Sequence, residues 1–207
     1  MTKDADSGAA EALRNRLAEA LSGRERRSVP DSRADSRAAV ALVLRPDAGR
    51  GASLLFIQRA EQEGDPWSGH MALPGGRWSP EDRELRATAI RETREETSLH
   101  LREAEILGAL DDVHPASRHL PSVAVTPFVA WYAGDAQVKG NREVRDHVWI
   151  ELDALRDPER RSTLTLSRGE RTVIFPTIEY GEYTVWGLTF EIVWSFLEVL
   201  RSVVGPG

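Results

Sequence analysis

Cysteine is absent from this chain of 207 residues. That excludes a disulfide framework, a thiolate metal site and a cysteine nucleophile. No apolar run approaches the roughly 18 continuous residues of a membrane span, and the amino terminus lacks the apolar core of a secretory signal. A cytoplasmic location follows by elimination, with no membrane partner. A net positive charge is also lacking, since 33 acidic residues outnumber 27 basic ones. The formal charge of -6 argues against a protein held to nucleic acid by bulk electrostatics, so no nucleic-acid partner is expected. A nucleotide-sized substrate bound through a metal stays open. Repeats, heptad arrays and low-complexity tracts are missing too. What is present, 41% hydrophobic and 29% charged residues, is ordinary for a soluble globule with one sizeable core.

Two units are expected: an N-terminal helix and polar linker over 1–37, and the main domain over 38–207. Leu13, Leu17 and Leu21 at spacing four predict a short amphipathic helix from Ala9 to Leu21, ended by Gly23. Arg24, Arg26, Arg27 and Arg33 lie in the linker, where a solvated connector is favoured over a phosphate site. Residues 38–44 and 53–58 read as apolar strands around a turn at Pro46-Asp47-Ala48-Gly49. Further strands are expected at 106–110, 123–132 and 147–150. Pro127 argues for an edge position or a bulge in the second of these. Leu152 and Leu155 fit a helical turn, Thr163–Phe175 a hairpin around Ser167-Arg168-Gly169-Glu170, and Leu188–Val199 a packed helix. Together they predict a mixed sheet covered by helices. Trp131 and Trp149 are assigned to the core; His114, Arg118 and His119 are assigned to a solvated loop.

Chemistry concentrates in residues 74–99. Pro74-Gly75-Gly76 makes a tight corner whose backbone can approach a metal or a phosphate without side-chain obstruction. A helix follows, with Ser79-Pro80 or Asp82 as its start, and runs to about Thr97. At about 100° per residue Glu92, Glu95 and Glu96 fall within about 100° of arc. Such crowding is unfavourable near the negative end of a helix, and a hard divalent cation such as Mg²⁺ resolves it. The cation would neutralise pyrophosphate oxygens and acidify a water, which a nearby carboxylate or hydroxide on a second metal would activate. Arg91 stands where it can orient a carboxylate. A solvated acidic helix face is the bland alternative.

This stretch resembles the Nudix box. Gly76 matches its leading glycine, Asp82 its first acidic position, Arg91-Glu92 its Arg-Glu pair, Glu95-Glu96 its Glu-Glu pair and Leu99 its last apolar residue. The match departs in four ways: one extra residue between Asp82 and Arg91, Asp for Glu at 82, Thr93 at an apolar position, and Ser98 where glycine is usual. The resemblance implies an α/β fold, a Nudix-type α/β/α sandwich with a mixed central β-sheet. It also implies Glu92, Glu95 and Glu96 as ligands of Mg²⁺ or Mn²⁺, joined by a backbone carbonyl of the Gly75-Gly76 corner, here assigned to Gly76. Glu92, Glu95, Glu96 and Arg91 form the catalytic set, and a homodimer is compatible with the family.

Within the family, the lengthened box, residues 54–60, the approach Gly69-His70-Met71-Ala72-Leu73-Pro74-Gly75-Gly76 and Trp186-Gly187-Leu188-Thr189 are similar to the coenzyme A diphosphatase branch. Hydrolysis of the coenzyme A or acyl-CoA pyrophosphate is the expectation this carries. Trp67 and His70 depart from that branch. ADP-ribose, another dinucleotide or a nucleoside triphosphate is the alternative substrate, and a catalytically inactive Nudix-like binding domain the alternative from another class. Arg59, Trp67, His70 and Arg77 are assigned to the substrate, with Trp67 either stacking on a base or plugging the loop. His70 coordinates metal, binds phosphate or hydrogen-bonds the loop, the last being favoured. Glu143 is an additional metal ligand or base.

Overall fold

The apolar run at residues 38–44 becomes the middle of the molecule because its alternate side chains enter two different cores. Ala38, Leu42 and Leu44 face one, while Ala39, Ala41 and Val43 face the other, the period of two that a strand imposes. The computed structural model describes residues 2–47, 51–115, 120–168 and 171–205. Its elements in chain order are α1 (Thr2–Ser22), β1 (Ser36–Asp47), β2 (Gly51–Arg59), β3 (Met71–Ala72), β4 (Gly75–Arg77), α2 (Leu85–Thr97), β5 (Ile106–Ala109), β6 (Val123–Trp131), β7 (Val144–Glu151), α3 (Leu152–Arg156), β8 (Arg161–Arg168), β9 (Arg171–Tyr180), β10 (Tyr183–Trp186) and α4 (Gly187–Val204).

Strands β1 and β6 run parallel, and the other pairings are antiparallel, so the main sheet is mixed. The hairpin of β1 and β2 is closed between Leu44↔Leu54 and Asp47↔Gly51, then opens. Into the opening fits the segment Met71–Arg77. Its first part pairs with β2 (Ile57↔Ala72) and its second with β1 (Val40↔Gly75). At the changeover the Ala41 amide donates to the Pro74 carbonyl at 2.8 Å. The glycine corner is therefore gripped from both sides by the central strands.

Leu13 and Leu17 of α1 and Ile192 and Phe196 of α4 cover one face of this sheet. Ala89, Leu85 and Ile90 of α2 cover the other. The α/β/α layering is the expected one. A second, three-stranded sheet in the order β10-β9-β8 packs Ile178 and Val185 into the α4 side of the core. No helix among the described residues is long and apolar enough to cross a membrane.

Several expectations change. Helix α1 extends back to Thr2, beyond the predicted Ala9. The box helix begins at Leu85, after Glu84, and not at Ser79 or Asp82, because the Asp82 side chain is consumed by other partners. Pro127 lies inside the sheet, between β1 and β5, where an edge or bulge had been expected. Its carbonyl accepts from the Leu110 amide at 2.9 Å, so its missing N–H points where β5 has just ended. The register irregularity falls on β5, between Ile106 and Gly108.

The arginine linker is largely exposed, as expected of a solvated connector, but it is also tied down by ion pairs. Arg24 and Arg27 pair with Asp111 at 2.9 and 2.8 Å, and Arg26 and Arg37 with the fully buried Asp112 at 3.1 Å each. Arg33 alone of the four linker arginines stays without such a pair among the described residues, its side chain exposed. Residues 48–50 of the first turn, Arg118 and His119, and Gly169 and Glu170 of the hairpin turn lie outside the described residues.

Candidate functional site

Helix α2 packs onto β1 with Thr88, Ala89, Thr93 and Thr97 buried. The Thr93 hydroxyl donates to the Ala89 carbonyl at 2.7 Å, and the Thr97 hydroxyl to that of Thr93. Both buried hydroxyls are thus satisfied within the helix, which is how a threonine occupies the family's apolar position. Ser98 ends the helix in the left-handed region, with φ of 61°, the conformation that glycine adopts most easily. Its hydroxyl donates to the Lys139 carbonyl at 3.0 Å.

Next to the buried face, Glu92 and Glu96 stand one turn apart and point at the glycine corner. Glu96 is 3% exposed and accepts from the Gly75 amide at 2.8 Å. Burial pushes its carboxyl up to about 8, against the pull of that amide. Burial also raises Glu92, against the pull of Arg91. A Cβ at Gly76 would lie 2.8 Å from Glu92 Oε2 and nearer still to Oε1, and one at Gly75 would lie 2.6 Å from Val40 Cα. At Gly75 the backbone of β1 leaves no room for a side chain, and at Gly76 a side chain would displace the Glu92 carboxylate, so the glycines let strand and carboxylates approach each other.

Arg91 organises the outer side of this cluster. Its Nε and Nη2 donate to the two oxygens of Asp82 at 3.0 and 2.9 Å, a bidentate pair. Its Nη1 donates to Glu92 at 2.8 Å and Glu95 at 3.3 Å, and Nη2 reaches the Arg77 carbonyl at 3.3 Å. Asp82 also accepts from Thr88 Oγ1 at 2.8 Å and the Ser79 amide at 3.2 Å. The Arg91 guanidinium, helped by these donors, holds the Asp82 carboxyl down at about 2. The extra residue between Asp82 and Arg91 leaves this bidentate pair formed and the spacing of the helical glutamates untouched.

The three glutamates are not gathered as closely as the sequence suggested. Glu95 is half exposed on Arg91, while Glu96 turns inward to Gly75. Among the described residues no three of His, Asp and Glu form a ready ligand set. The donors nonetheless suit a hard divalent cation: they are all oxygen, two of the carboxylates are removed from bulk water, and the backbone corner beside them is unobstructed.

The other assigned residues divide between two places. Arg59 donates to Asp65 at 2.6 Å, and its charge favours the ionised form of Glu96. Asp65 also accepts from the Trp67 amide at 3.0 Å. The Trp67 ring is half-buried against the core. His70 is half-buried too, with its ring 4.5 Å from that of Trp186, and burial lowers its pKa against the pull of Asp65. Glu143 is exposed, yet its charge raises both Glu92 and Glu96. Arg77 is exposed beyond the corner, on the Arg91 side. An open groove of about 750 Å³ lies along the outer side of α2, lined by Asp82, Ile90, Arg91, Arg94, Glu95 and His100, and does not include Glu92, Glu96 or the glycine corner. His114 meets Ser122 Oγ at 3.4 Å.

Sequence reasoning missed the Gly75 amide as the anchor of Glu96, and Asp65 as the link between Arg59 and Trp67. Neither carries a periodic signal. It also missed Thr189 as a partner of this loop, its hydroxyl donating to the Met71 carbonyl at 3.0 Å.

Comparison with known proteins bears on all of this. A model of the NUDIX domain matches residues 35–167. "Uncharacterized Nudix hydrolase NudL" of Yersinia pestis (strain Pestoides F) is 29% identical over 156 residues, 74% of this chain and 75% of that protein. "Uncharacterized protein C14C4.10c" of Schizosaccharomyces pombe is 51% identical over 61 residues, 28% of this chain and 18% of that protein. Among solved structures, a MutT/nudix family protein from Enterococcus faecalis has a TM-score of 0.59 at 21% identity, covering 86% of this chain and 70% of that one. The Nudix hydrolase RenU from M. smegmatis has a TM-score of 0.51 at 18% identity, covering 82% and 87%. Likeness at such identities speaks for the fold.

Proposed function

The chain belongs to the NUDIX family, a Nudix-type diphosphatase acting on nucleotide-linked substrates, and from that premise we propose that it cleaves the pyrophosphate of coenzyme A or an acyl-CoA. The products would be phosphopantetheine, free or acylated, and adenosine 3′,5′-bisphosphate. The observation that carries the site is the seating of two desolvated carboxylates, Glu92 and Glu96, against Gly76 and Gly75.

Family membership implies a divalent cation, and Mg²⁺ or Mn²⁺ is the proposed identity. When bound, it supplies charge for the pyrophosphate oxygens and a more acidic water. Glu92, Glu95, Glu96 and the Gly76 carbonyl would hold it. Arg91 fixes the directions of Glu92 and Glu95 and is itself fixed by Asp82. Arg59 and Arg77 would receive phosphate oxygens through their guanidinium groups. Glu143, whose charge acts on Glu92 and Glu96, would be a further metal ligand or the base that takes a proton from the attacking water. Trp67 and His70 line the loop toward the remainder of the substrate.

The coenzyme A reading is supported by a contact between distant segments. The two stretches that resemble that branch, residues 69–76 and 186–189, touch through His70–Trp186 and Met71–Thr189. ADP-ribose, another dinucleotide or a nucleoside triphosphate is the second reading, favoured by the departures at Trp67 and His70. A cytoplasmic homodimer belongs to the same proposal; light scattering would give its mass.

Product analysis across coenzyme A, ADP-ribose, dinucleotides and nucleoside triphosphates, with Mg²⁺ and with Mn²⁺, separates these readings. Release of two phosphate-bearing products from coenzyme A is expected, and inactivity on the whole panel would overturn the enzyme. Glu95→Gln and Glu96→Gln should each lower kcat at least about 100-fold with little change in thermal midpoint. Turnover preserved in both would remove the assigned cluster.

A further inference from the structure

Four residues before the Gly75 amide that holds Glu96, the chain is gripped by a part of the fold remote in sequence. Residues 69–71 receive three hydrogen bonds. Two come from the adjoining strand: Gln58 Nε2 donates to the Gly69 carbonyl at 3.3 Å and the Arg59 amide to that of His70 at 3.0 Å. The third, from Thr189 Oγ1 to the Met71 carbonyl at 3.0 Å, crosses from the first turn of α4. Trp186 supplies a fourth contact, its ring 4.5 Å from His70 at an interplanar angle of 53°.

Both groups reach the same short stretch because the chain turns sharply between them. Gly187 adopts φ of 61°, a left-handed conformation that glycine takes without the strain a Cβ would bring. The corner it makes ends β10 and starts α4. Trp186 is held from its other side by Phe175, whose ring centroid is 5.4 Å away. Beyond Gly187, α4 buries Ile192, Val193 and Phe196 in the main core. The clamp is therefore anchored in rigid elements, whereas the loop before His70 is mostly exposed.

We propose that Thr189 and Trp186 are positioning residues for the active site: by fixing Met71 and His70 they set where the inserted strand enters the sheet, and so where Gly75 and Gly76 meet Glu96 and Glu92. This rests on the reading of that corner as the catalytic one, and deepens it. Neither residue touches the carboxylates. Their effect travels along four residues of strand, whose other restraints are the Ala41–Pro74 hydrogen bond and the pairing with β1 and β2. Displacement of about 1 Å at a reacting centre is enough to cost up to about 100-fold in rate.

The test is a pair of near-isosteric variants read in two ways. Thr189→Val removes the donor and keeps the shape, whereas Thr189→Ser keeps the donor. Amide exchange followed by NMR on the metal-free protein should show the Gly75 amide losing protection at least about 10-fold in Thr189→Val. Thr189→Ser should retain it, and exchange in the core of α4 should be unchanged in both. In turnover, Thr189→Val should lower kcat about 10-fold or more with KM moved less, and Thr189→Ser should restore it. Trp186→Phe should fall between wild type and Trp186→Ala in both readouts.

Unchanged Gly75 protection in Thr189→Val overturns the proposal, as do equal losses of kcat in Thr189→Val and Thr189→Ser. The exchange measurement needs no substrate. If the wild type hydrolyses nothing on the panel, the catalytic reading fails while the exchange data still decide whether the clamp sets the corner.

Discussion

Ser98 is a residue at which chemistry and conformation pull apart. Its left-handed backbone favours glycine, while its hydroxyl bonds the Lys139 carbonyl on the exposed surface. The strain outweighs a solvent-exposed hydrogen bond, so Ser98→Gly should raise stability by about 0.5 kcal/mol, visible as a higher thermal midpoint. Asp82 gives a pH dependence. Its folded carboxyl sits at about 2, below the ordinary 3.8. A depressed carboxyl stabilises the fold fully above its unfolded value and loses that contribution as pH falls toward its folded one. The stability gap between wild type and Asp82→Asn should therefore be full above about pH 4 and close as pH approaches about 2. Urea midpoints measured across that range check it; a constant gap would mean that Asp82 is not held by Arg91. Asp82 also shows where local reading stops: three residues after Ser79 it looks like half of a capping box. Its oxygens instead go to Arg91, Thr88 and the Ser79 amide, and the helix waits until Leu85.

At the scale of elements, the pieces that announce themselves are those whose signal is local. The apolar run of β1 and the four-residue leucine spacing of α1 were legible, since burial on one side is written at the element's own period. The spacing of Glu92, Glu95 and Glu96 showed a helix, but not that Glu95 turns outward to Arg91. Non-local pairings were not. Nothing near Arg24, Arg26 and Arg27 shows that Asp111 and Asp112, more than 80 residues later, receive them. Asp112 is fully buried beneath Arg26 and Arg37, and also accepts from Thr126 and the Val29 amide. Removing that charge takes the buried carboxylate from both Arg26 and Arg37. Arg37 keeps Asp31 and the Val29 carbonyl, and Arg26 keeps Thr126, so Asp112→Asn should cost about 2 kcal/mol. The urea midpoint should fall with an unchanged slope. Pro127 misled for a related reason: whether a missing donor matters depends on what stands opposite it, and that is the end of β5.

For the molecule as a whole, the N-terminal helix and the C-terminal helix share one core. Leu17 is fully buried in it together with Phe196. Leu17→Ala should cost about 2–5 kcal/mol in a single transition followed by both fluorescence and circular dichroism. Two separate transitions would show α1 melting by itself. Layering was legible from the alternation of strands and helices, but the wedge of Met71–Arg77 between β1 and β2 was not, since two- and three-residue strands leave no periodic trace. That wedge has a consequence for how the protein tolerates change in length. A peptide locked between two neighbours admits no added or deleted residue without sliding every glycine and carbonyl out of step. Residues 60–68 just before it lie outside the ladder and are held by side-chain and turn bonds of their own, such as Arg59–Asp65 and Arg145–Glu61, so a change of length there need not slide the wedge. Variation in that loop thus leaves the glycine corner in step with its two neighbours.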